Sequence, residues 1–224
     1  ISVSALGVLA GDTSSSANGV SGTGAVTVGV SSGPSSTRAF VHSQAGLSAL
    51  PTLVGGPAAY EARGISSDGT TIVGYATAAG ASTSRAVKWV QTGGVWTIAD
   101  LGTLPGGGGA SLDAASADGS VLVGNAVPAG STSTKAVIWS GAGGLRTIEQ
   151  VLADAGFVDS TWDLQFATGV SADGTRVCGW GVHNSVVEGF VVTLPPLGPT
   201  RCNAADVAGL GGAVGADGQL TADD

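Results

Sequence analysis

Residues that could carry acid–base or nucleophilic chemistry are few in this chain and form no motif. The two histidines, His42 and His183, occupy unrelated places, so a histidine-activated nucleophile or a zinc site would draw on unrelated parts of the chain. Carboxylates remain as candidate catalytic groups, because a suitably placed pair of them can hydrolyse a glycosidic bond. Nothing in their spacing selects a pair among Asp100, Asp113, Glu149, Asp154, Asp159, Asp163 and Glu188. The sequence therefore predicts no catalytic residue and a protein that is not an enzyme.

Composition argues against several other classes of function. The 224 residues include 8 Lys and Arg against 16 Asp and Glu, a net charge of −8, with no basic cluster to neutralise a phosphate backbone. No apolar run reaches the ~18 residues of a membrane-spanning helix. The glycine run Gly106–Gly109 lacks the Lys and Ser or Thr of a phosphate-binding loop, so we expect no cofactor. Nucleic acid and a membrane span are also not expected.

The elements of the chain are indicated by a unit that recurs four times, a Ser-x-Asp-Gly turn followed by a short apolar strand. The turn glycines Gly24, Gly69, Gly119 and Gly174 lie 45, 50 and 55 residues apart, which is the spacing of whole supersecondary units. A basic-Ala-apolar signal and a further strand-like run follow the turns, which gives about four strands per repeat. We therefore predict an all-β fold, a propeller-like array of four small antiparallel sheets.

The turn residues have a structural explanation and an alternative one. In a three-residue hairpin loop the aspartate accepts a backbone N–H and the glycine takes the positive φ that a Cβ penalises. This interpretation assigns a structural role in the turns to Asp68, Gly69, Asp118, Gly119, Asp173 and Gly174. The alternative is a ring of carboxylates that binds a cation, and Thr23 in the first copy argues against it. We therefore expect no metal.

A second glycine of each unit lies inside a strand, where glycine usually marks the close approach of another backbone. These residues are Gly29, Gly74, Gly124 and Gly179, and crowding near a common axis would explain them. An aromatic residue ends the following strand in each copy, suited to packing between sheets or, alternatively, to stacking on a sugar. The inter-sheet core is therefore predicted to contain Phe40, Trp89, Trp139 and Phe190.

The repeat boundaries follow from these anchors. They give four repeats over 1–46, 47–94, 95–144 and 145–195, and a separate C-terminal tail over 196–224. One amphipathic segment, Ile148–Gly156, predicts a short helix in the last repeat.

The two cysteines, Cys178 and Cys202, permit one disulfide in an oxidising compartment. Cys178 occupies the strand position held elsewhere by Val28, Val73 and Val123, so a buried free thiol is the alternative. The chain begins at Ile1 and contains no Met, which suggests a processed product, and its low charge and abundant Ser, Thr and Gly fit a secreted or surface protein.

Two stretches resemble a known family. The signal Leu-Gly-Thr-Leu-Pro-Gly-Gly at 101–107, followed by Ser-Ala-Asp-Gly and Lys-Ala-Val-Ile-Trp, is similar to the HAF repeats of bacterial extracellular proteins, as is the stretch from Trp162 to Pro195. The resemblance covers roughly residues 1–195 and implies a secreted or surface-attached bacterial protein with propeller-like sheets and no catalytic residue. The first copy departs from the pattern because it lacks the turn Asp.

The tail resembles the dockerin-like C-terminal segments of secreted planctomycete-type proteins. Asp217, Gly218, Leu220 and Asp224 imitate part of an EF-hand loop, but Ala213 and Gly215 stand where the first and third ligands belong. We expect no calcium there, and attachment, export or contact with a neighbour as the tail's role.

Two functions fit these features. The first is an extracellular structural or adhesive surface protein that assembles into a homo-oligomer, polymer or filament through its terminal repeats and tail, because unpaired strand edges are templates for association. The alternative is a glycan-binding, lectin-like propeller. The candidate contact aromatics for either function are Tyr60, Tyr75, Trp96, Trp162 and Trp180.

Overall fold

The computed structural model describes residues 1–34, 36–54, 57–78 and 81–195, and these form fifteen β-strands, one α-helix and one 3₁₀ helix. The cysteine Cys202 and the tail lie outside the described residues. The strands are β1 Ser14–Val20, β2 Thr27–Ser32, β3 Thr37–Ser43, β4 Gly46–Ala49, β5 Pro57–Ile65, β6 Thr71–Ala78, β7 Arg85–Thr92, β8 Val95–Gly102, β9 Ala110–Ala115, β10 Leu122–Ala126, β11 Lys135–Trp139, β12 Leu145–Thr147, β13 Trp162–Val170, β14 Arg176–His183 and β15 Val186–Thr193. The helix α1 is Ile148–Asp154 and the 3₁₀ helix is Gly141–Gly143.

The strands form four antiparallel meanders, which we call units 1 to 4. Unit 1 contains β1–β4, unit 2 contains β5–β8, unit 3 contains β9–β12 and unit 4 contains β13–β15. A single parallel bridge between Thr37 and Ala59 joins units 1 and 2 into one eight-stranded sheet. The described residues therefore form three hydrogen-bonded sheets, and the predicted all-β class is confirmed.

The predicted repeat boundaries fall one strand too early along the chain. The expected boundary after Gly94 separates β7 from β8, yet these two strands pair along their length within one sheet. The boundary after residue 46 likewise falls inside β4, which pairs with β3, and the boundary after residue 144 divides β11 from β12. Each fourth strand belongs to the preceding sheet because a tight turn returns it directly onto the third strand.

Each pair of consecutive units encloses an apolar core. We call the side of a unit that faces the following unit its front face, and the opposite side its rear face. Val28, Val73 and Val123 lie on the front faces of units 1 to 3 and are fully buried against the next unit. Trp89 lies on the rear face of unit 2 and Phe190 on the rear face of unit 4, each packed against the preceding unit.

The turns of successive units are joined by backbone hydrogen bonds. Gly22 donates its N–H to the carbonyl of Ser67 at 2.9 Å, and Asp68 donates to Ala117 at 3.0 Å. Ala117 in turn donates to Ala172 at 2.9 Å. These bonds fix the spacing of the units along one edge of the array.

The second glycines have a different cause from the predicted crowding at an axis. A Cβ at Gly74 would collide with the carbonyl of Glu61, and one at Gly179 would collide with the carbonyl of Phe166. Both carbonyls belong to the first strand of the same sheet, close to a shift in register. A β-bulge pushes the backbone of that strand toward its neighbour, and only glycine leaves room for it.

The predicted helix is present between units 3 and 4. Thr147 caps it, because its hydroxyl accepts the N–H of Gln150 and the Gln150 side chain accepts the N–H of Thr147. Ile148 and Val151 are buried in the core between these units, and Gly156 follows the helix with a φ of 84°. In the part of the chain that the structure describes, no helix is long and apolar enough to cross a membrane.

Candidate functional site

The Ser-x-Asp-Gly turns are closed by their own aspartates. One carboxylate oxygen of Asp118 accepts the hydroxyl of Ser116 at 2.8 Å, the N–H of Ser120 at 3.0 Å and the hydroxyl of Ser120 at 2.7 Å. Asp68 accepts the three equivalent hydrogen bonds from Ser66 and Thr70, and Asp173 accepts them from Ser171 and Thr175. The turn glycines Gly69, Gly119 and Gly174 all have positive φ.

These hydrogen bonds favour the charged form of each aspartate. Bonds from the backbone and side chain of Ser120, then from Ser116, lower the pKa of Asp118 to about 2. Bonds from Ser171 and Thr175 lower the pKa of Asp173 to about 2. Burial alone would raise the pKa of Asp68, but bonds from Ser66 and Thr70 lower it below its usual value. One oxygen of each of these carboxylates is therefore bonded within its own turn.

The recurring basic residues form ion pairs. Arg38 meets Asp12 at 2.9 Å and Arg85 meets Asp100 at 2.7 Å. Lys135 lies between two carboxylates of the joint between units 3 and 4. Its ammonium is 2.9 Å from Glu149 and 2.7 Å from Asp163.

Glu149 and Asp163 are therefore a pair of the predicted carboxylates that the fold brings together, and both are bound to Lys135. Burial alone would raise the pKa of Asp163, whereas hydrogen bonds from Lys135 and Gln165 lower it. Glu149 also accepts the backbone N–H of Leu164 at 3.1 Å. A general acid needs a raised pKa, whereas the pKa of Asp163 is lowered here.

A polar cluster between the first strands of units 1 to 3 was not predicted from the sequence. Arg63 donates to Asp113 at 2.8 Å, and its guanidinium lies 5.0 Å from the centre of the Tyr75 ring. Asn125 donates to Asp113 at 3.0 Å, and Asn18 donates to the carbonyl of Ala62 at 2.9 Å. The Arg63–Asp113 and Asn18–Ala62 contacts link neighbouring units, whereas the contacts of Tyr75 and Asn125 lie within one unit. No group of three or more His, Cys, Asp or Glu within the described ranges is placed to hold a metal ion.

The four predicted core aromatics occupy two different positions and differ in burial. Phe40 and Phe190 lie opposite the strand glycines Gly29 and Gly179, whereas Trp89 and Trp139 lie two residues further along the third strand. Phe40 and Trp89 are fully buried, and Phe190 is nearly so. Trp139 is only half-buried, and the ammonium of Lys88 lies over its ring, 3.9 Å from the ring centre. Trp89 also donates its indole N–H to the carbonyl of Pro51 at 2.8 Å.

The predicted contact aromatics require one correction. Tyr60 is a core residue and has no free surface, because it lies in the core between units 1 and 2 and its hydroxyl accepts the N–H of Leu53. Tyr75 is half-buried beneath Arg63, and burial followed by the nearby Glu61 raises its pKa. Trp96 is half-buried against the same core as Tyr60. Of these three, Tyr60 is the one whose ring is fully enclosed.

The two tryptophans of unit 4 lie on opposite faces of its sheet. Trp162 stacks on His183 at 4.5 Å and meets the edge of Phe190 on the rear face. Trp180 stacks on Phe166 at 4.3 Å on the front face and is 39% exposed. Trp180 is therefore the predicted contact aromatic with the most accessible surface.

The front face of unit 4 is open. Cys178 holds the position of Val73 and Val123, yet it is exposed, so the expectation of a buried thiol is wrong. No following unit within the described residues covers it, and its predicted disulfide partner lies outside them. Val191, directly opposite Cys178 on β15, is 70% exposed.

The outer edge of unit 4 is open as well. Units 1 to 3 each have a fourth strand that pairs with the third, whereas no described strand pairs with the outer edge of β15. A groove of about 780 Å³ lies beside β15, between α1 and the rear face of unit 4. Its walls are mainly apolar, formed by residues that include Leu152, Phe157, Val158, Trp162, Phe190 and Val192. We call this edge, its groove and the front face together the open end of unit 4.

Solved structures share this architecture. The chain is similar to TolB from Acinetobacter baumannii with a TM-score of 0.53 and 11% identity, covering 82% of this chain and 41% of that one. It is also similar to a putative TolB from Agrobacterium tumefaciens with a TM-score of 0.53 and 15% identity, covering 78% of this chain and 59% of that one. The fold is β-propeller-like.

At these identities the likeness concerns the fold alone. This propeller-like chain spans between about two fifths and three fifths of the length of the two solved proteins. No protein-family profile and no curated protein matches its sequence. Val191 and Phe157, which help to form the open end, were missed in the sequence. The apolar composition of β15 could have indicated Val191, whereas Phe157 lies outside every strand.

Proposed function

We propose that this chain is a non-enzymatic structural or adhesive protein of the bacterial surface or extracellular space, which self-assembles through the open end of unit 4. The proposal includes membership of the HAF-repeat group and a propeller-like array of four units. One observation carries it. The position that is fully buried in units 1, 2 and 3, at Val28, Val73 and Val123, is exposed in unit 4 at Cys178.

The surroundings of Cys178 support the same interpretation. Phe166 and Trp180 are opposite one another in the sheet, as are Cys178 and Val191, and residues opposite one another share a face. Val187 belongs to the same face and is exposed. A contiguous exposed apolar face is typical of an interaction site. This face of unit 4 is equivalent to the front faces of units 1 to 3, which are buried against the next unit.

Several contacts favour a non-enzymatic role. The carboxylates that converge, Glu149 and Asp163, both pair with Lys135, and the turn aspartates are bonded within their own turns. His183 is stacked on Trp162 and bonded to Glu188 at 3.0 Å. Each of these groups has a structural partner that its use in catalysis would have to displace.

The second candidate function is glycan binding, favoured by Trp180 alone. One face of its indole rests on Phe166, which fixes the ring, and the side chain keeps 39% of its surface exposed. A rigid aromatic with a free face can stack on a sugar ring. Loss of binding to a glycan array on Trp180→Ala, in a protein that stays monomeric, would favour this function.

The experiment for the main proposal is the sedimentation behaviour of the full chain over a range of concentrations. We expect concentration-dependent polymers, and we expect Val191→Lys to reduce them because it places a charge in the apolar front face. The matched control is Val95→Lys, since Val95 is 64% exposed in unit 2 and lies away from the open end. A monomer at every concentration, or equal polymers with Val191→Lys, would contradict the proposal.

A further inference from the structure

Among the residues that the structure describes, unit 4 has no counterpart of the strand that completes each of the other units. The third strands β3, β7 and β11 each pair antiparallel with a fourth strand, and the corresponding strand β15 has no such partner in the described part of the chain. The fourth strands can be short, since β12 has only three residues. A free edge of this kind is a template for the addition of an extended segment.

The groove beside β15 is the space that the side chains of a fourth strand would fill. In unit 2, Trp96 and Ile98 of the fourth strand pack into the core shared with unit 1. In unit 3, Leu145 of the fourth strand packs into the core shared with unit 2. Within residues 1–195 as described, no fourth strand contributes to the core shared by units 3 and 4, and the groove of about 780 Å³ opens at that place.

The N-terminal residues have the features of the missing strand. Residues 1–6 read Ile-Ser-Val-Ser-Ala-Leu, in which apolar and polar residues alternate over the first five positions. This period of two is that of a strand with one apolar face. The segment belongs to no helix or strand, and the side chains of Ile1 and Val3 are fully exposed.

The segment is attached to the opposite end of the array. Ser15 donates a hydrogen bond of 2.7 Å to the carbonyl of Gly7, and Leu9 donates its N–H to Ser31, so the chain is fixed to unit 1 from Gly7 onward. Six extended residues reach about 20 Å. Units 2 and 3 stand between unit 1 and unit 4 along the series of shared cores, and no strand of unit 1 packs extensively against a strand of unit 4 in the described residues. A second copy is therefore better placed to donate the strand than the chain's own N-terminus.

We infer that residues 1–6 of one copy add to β15 of the next copy as the fourth strand of unit 4, antiparallel to β15. Ile1, Val3 and Ala5 then enter the groove, and Ser2 and Ser4 face solvent. The joint is head-to-tail, and a head-to-tail joint repeats into a filament unless it closes into a ring. This inference rests on the proposed self-assembly and specifies its joint.

The test uses full-length chains altered on one side of the joint. Val3→Lys blocks the donor, because it places a charge in the apolar groove, whereas Ser4→Lys lies one residue further on and faces solvent. Phe157→Lys blocks the acceptor, since Phe157 lines the groove and lies outside every strand. We expect Val3→Lys and Phe157→Lys each to be monomeric alone, with at least about a tenfold rise in the apparent dissociation constant. Ser4→Lys should assemble as the unaltered chain does.

Mixing the two blocked variants is decisive. Val3→Lys retains the acceptor and Phe157→Lys retains the donor, so a head-to-tail joint gives a 1:1 dimer that grows no further in sedimentation. If the unaltered chain polymerises and Val3→Lys polymerises equally, the inference fails while self-assembly stands. A mixture that stays monomeric also overturns the inference. If the unaltered chain is monomeric, the proposed function itself fails, whether or not its own N-terminus pairs with β15. Unchanged circular dichroism of each variant confirms that it is folded.

Discussion

The backbone N–H of Ala117 donates a hydrogen bond of 2.9 Å to the carbonyl oxygen of Ala172, the residue at the same position of the following turn. The turns thus have two roles in this protein. Their aspartate side chains close the hairpins, and their backbone joins each unit to the next. Substitutions in the turns should therefore affect the packing of units as well as the local loop.

Removal of a turn carboxylate should destabilise the fold. Asp118→Ala leaves the N–H of Ser120 and the hydroxyls of Ser116 and Ser120 without their shared acceptor. We expect a loss of about 1–2 kcal/mol in the free energy of unfolding, measured by urea denaturation. Asp154→Ala is the control, because Asp154 is exposed and pairs with Arg146 on the surface, where ion pairs contribute about 0–1 kcal/mol. Equal losses in the two variants would show that the turn bonds have no special role.

Stability should fall in acid through the same turns. The pKa values of Asp118 and Asp173 are about 2 in the folded chain against 3.8 for an ordinary aspartate. Between these values the unfolded chain binds more protons, so the stabilisation is complete above about pH 4 and decreases as the pH falls toward 2. Unfolding midpoints measured across this range should decrease.

The double variant Asp118→Asn and Asp173→Asn provides the comparison for this pH dependence. Asparagine keeps an acceptor oxygen in each turn but does not titrate, so the decrease between pH 4 and pH 2 should become shallower. An unchanged slope would mean that other carboxylates cause the acid sensitivity.

Substitutions at two turn glycines distinguish the energetic cost of backbone strain from the cost of crowding between units. Gly24 and Gly119 have φ values of 74° and 67°, but a Cβ at Gly24 meets nothing within 4 Å, whereas one at Gly119 would collide with Thr71 of the preceding unit. Gly24→Ala should cost about 1–2 kcal/mol from φ alone. Gly119→Ala should cost about 1–3 kcal/mol more, because overpacking is added. Thermal or urea unfolding of the pair measures the difference, and equal costs would argue against close packing of the turns.

Cys178 should react with a water-soluble maleimide in the folded protein. It is exposed on the front face of unit 4, whereas Val123 at the same position of unit 3 is fully buried. Cys202 is replaced by Ser in both proteins, so that each has one cysteine. Cys178 should then be modified at least about tenfold faster than the cysteine of a Val123→Cys, Cys178→Ser variant, because the buried cysteine reacts only after local opening of the fold. Similar rates would indicate that another part of the chain covers the front face of unit 4. The same assay with Cys202 present and no reductant tests the predicted disulfide.

Local patterns predicted much of the fold. The Ser-x-Asp-Gly signal indicated the hairpins because the preference of glycine for positive φ and the short reach of an aspartate are properties of adjacent residues. The short helix was likewise indicated by the spacing of Ile148, Val151 and Leu152. The phase of the units was not predictable from these signals, because whether β8 pairs with β7 or begins a new sheet depends on its partner and not on its own residues.

The sequence by itself determined the all-β class, the turns and the scarcity of catalytic groups, because these depend on residue type and on neighbours in the chain. Only the tertiary structure decided which equivalent positions are buried. Val123 and Cys178 occupy the same place in their units, yet one is fully buried and the other is exposed. Burial depends on whether another sheet covers the face. The repeat pattern is the same at both positions, so it carries no information on where the packing ends.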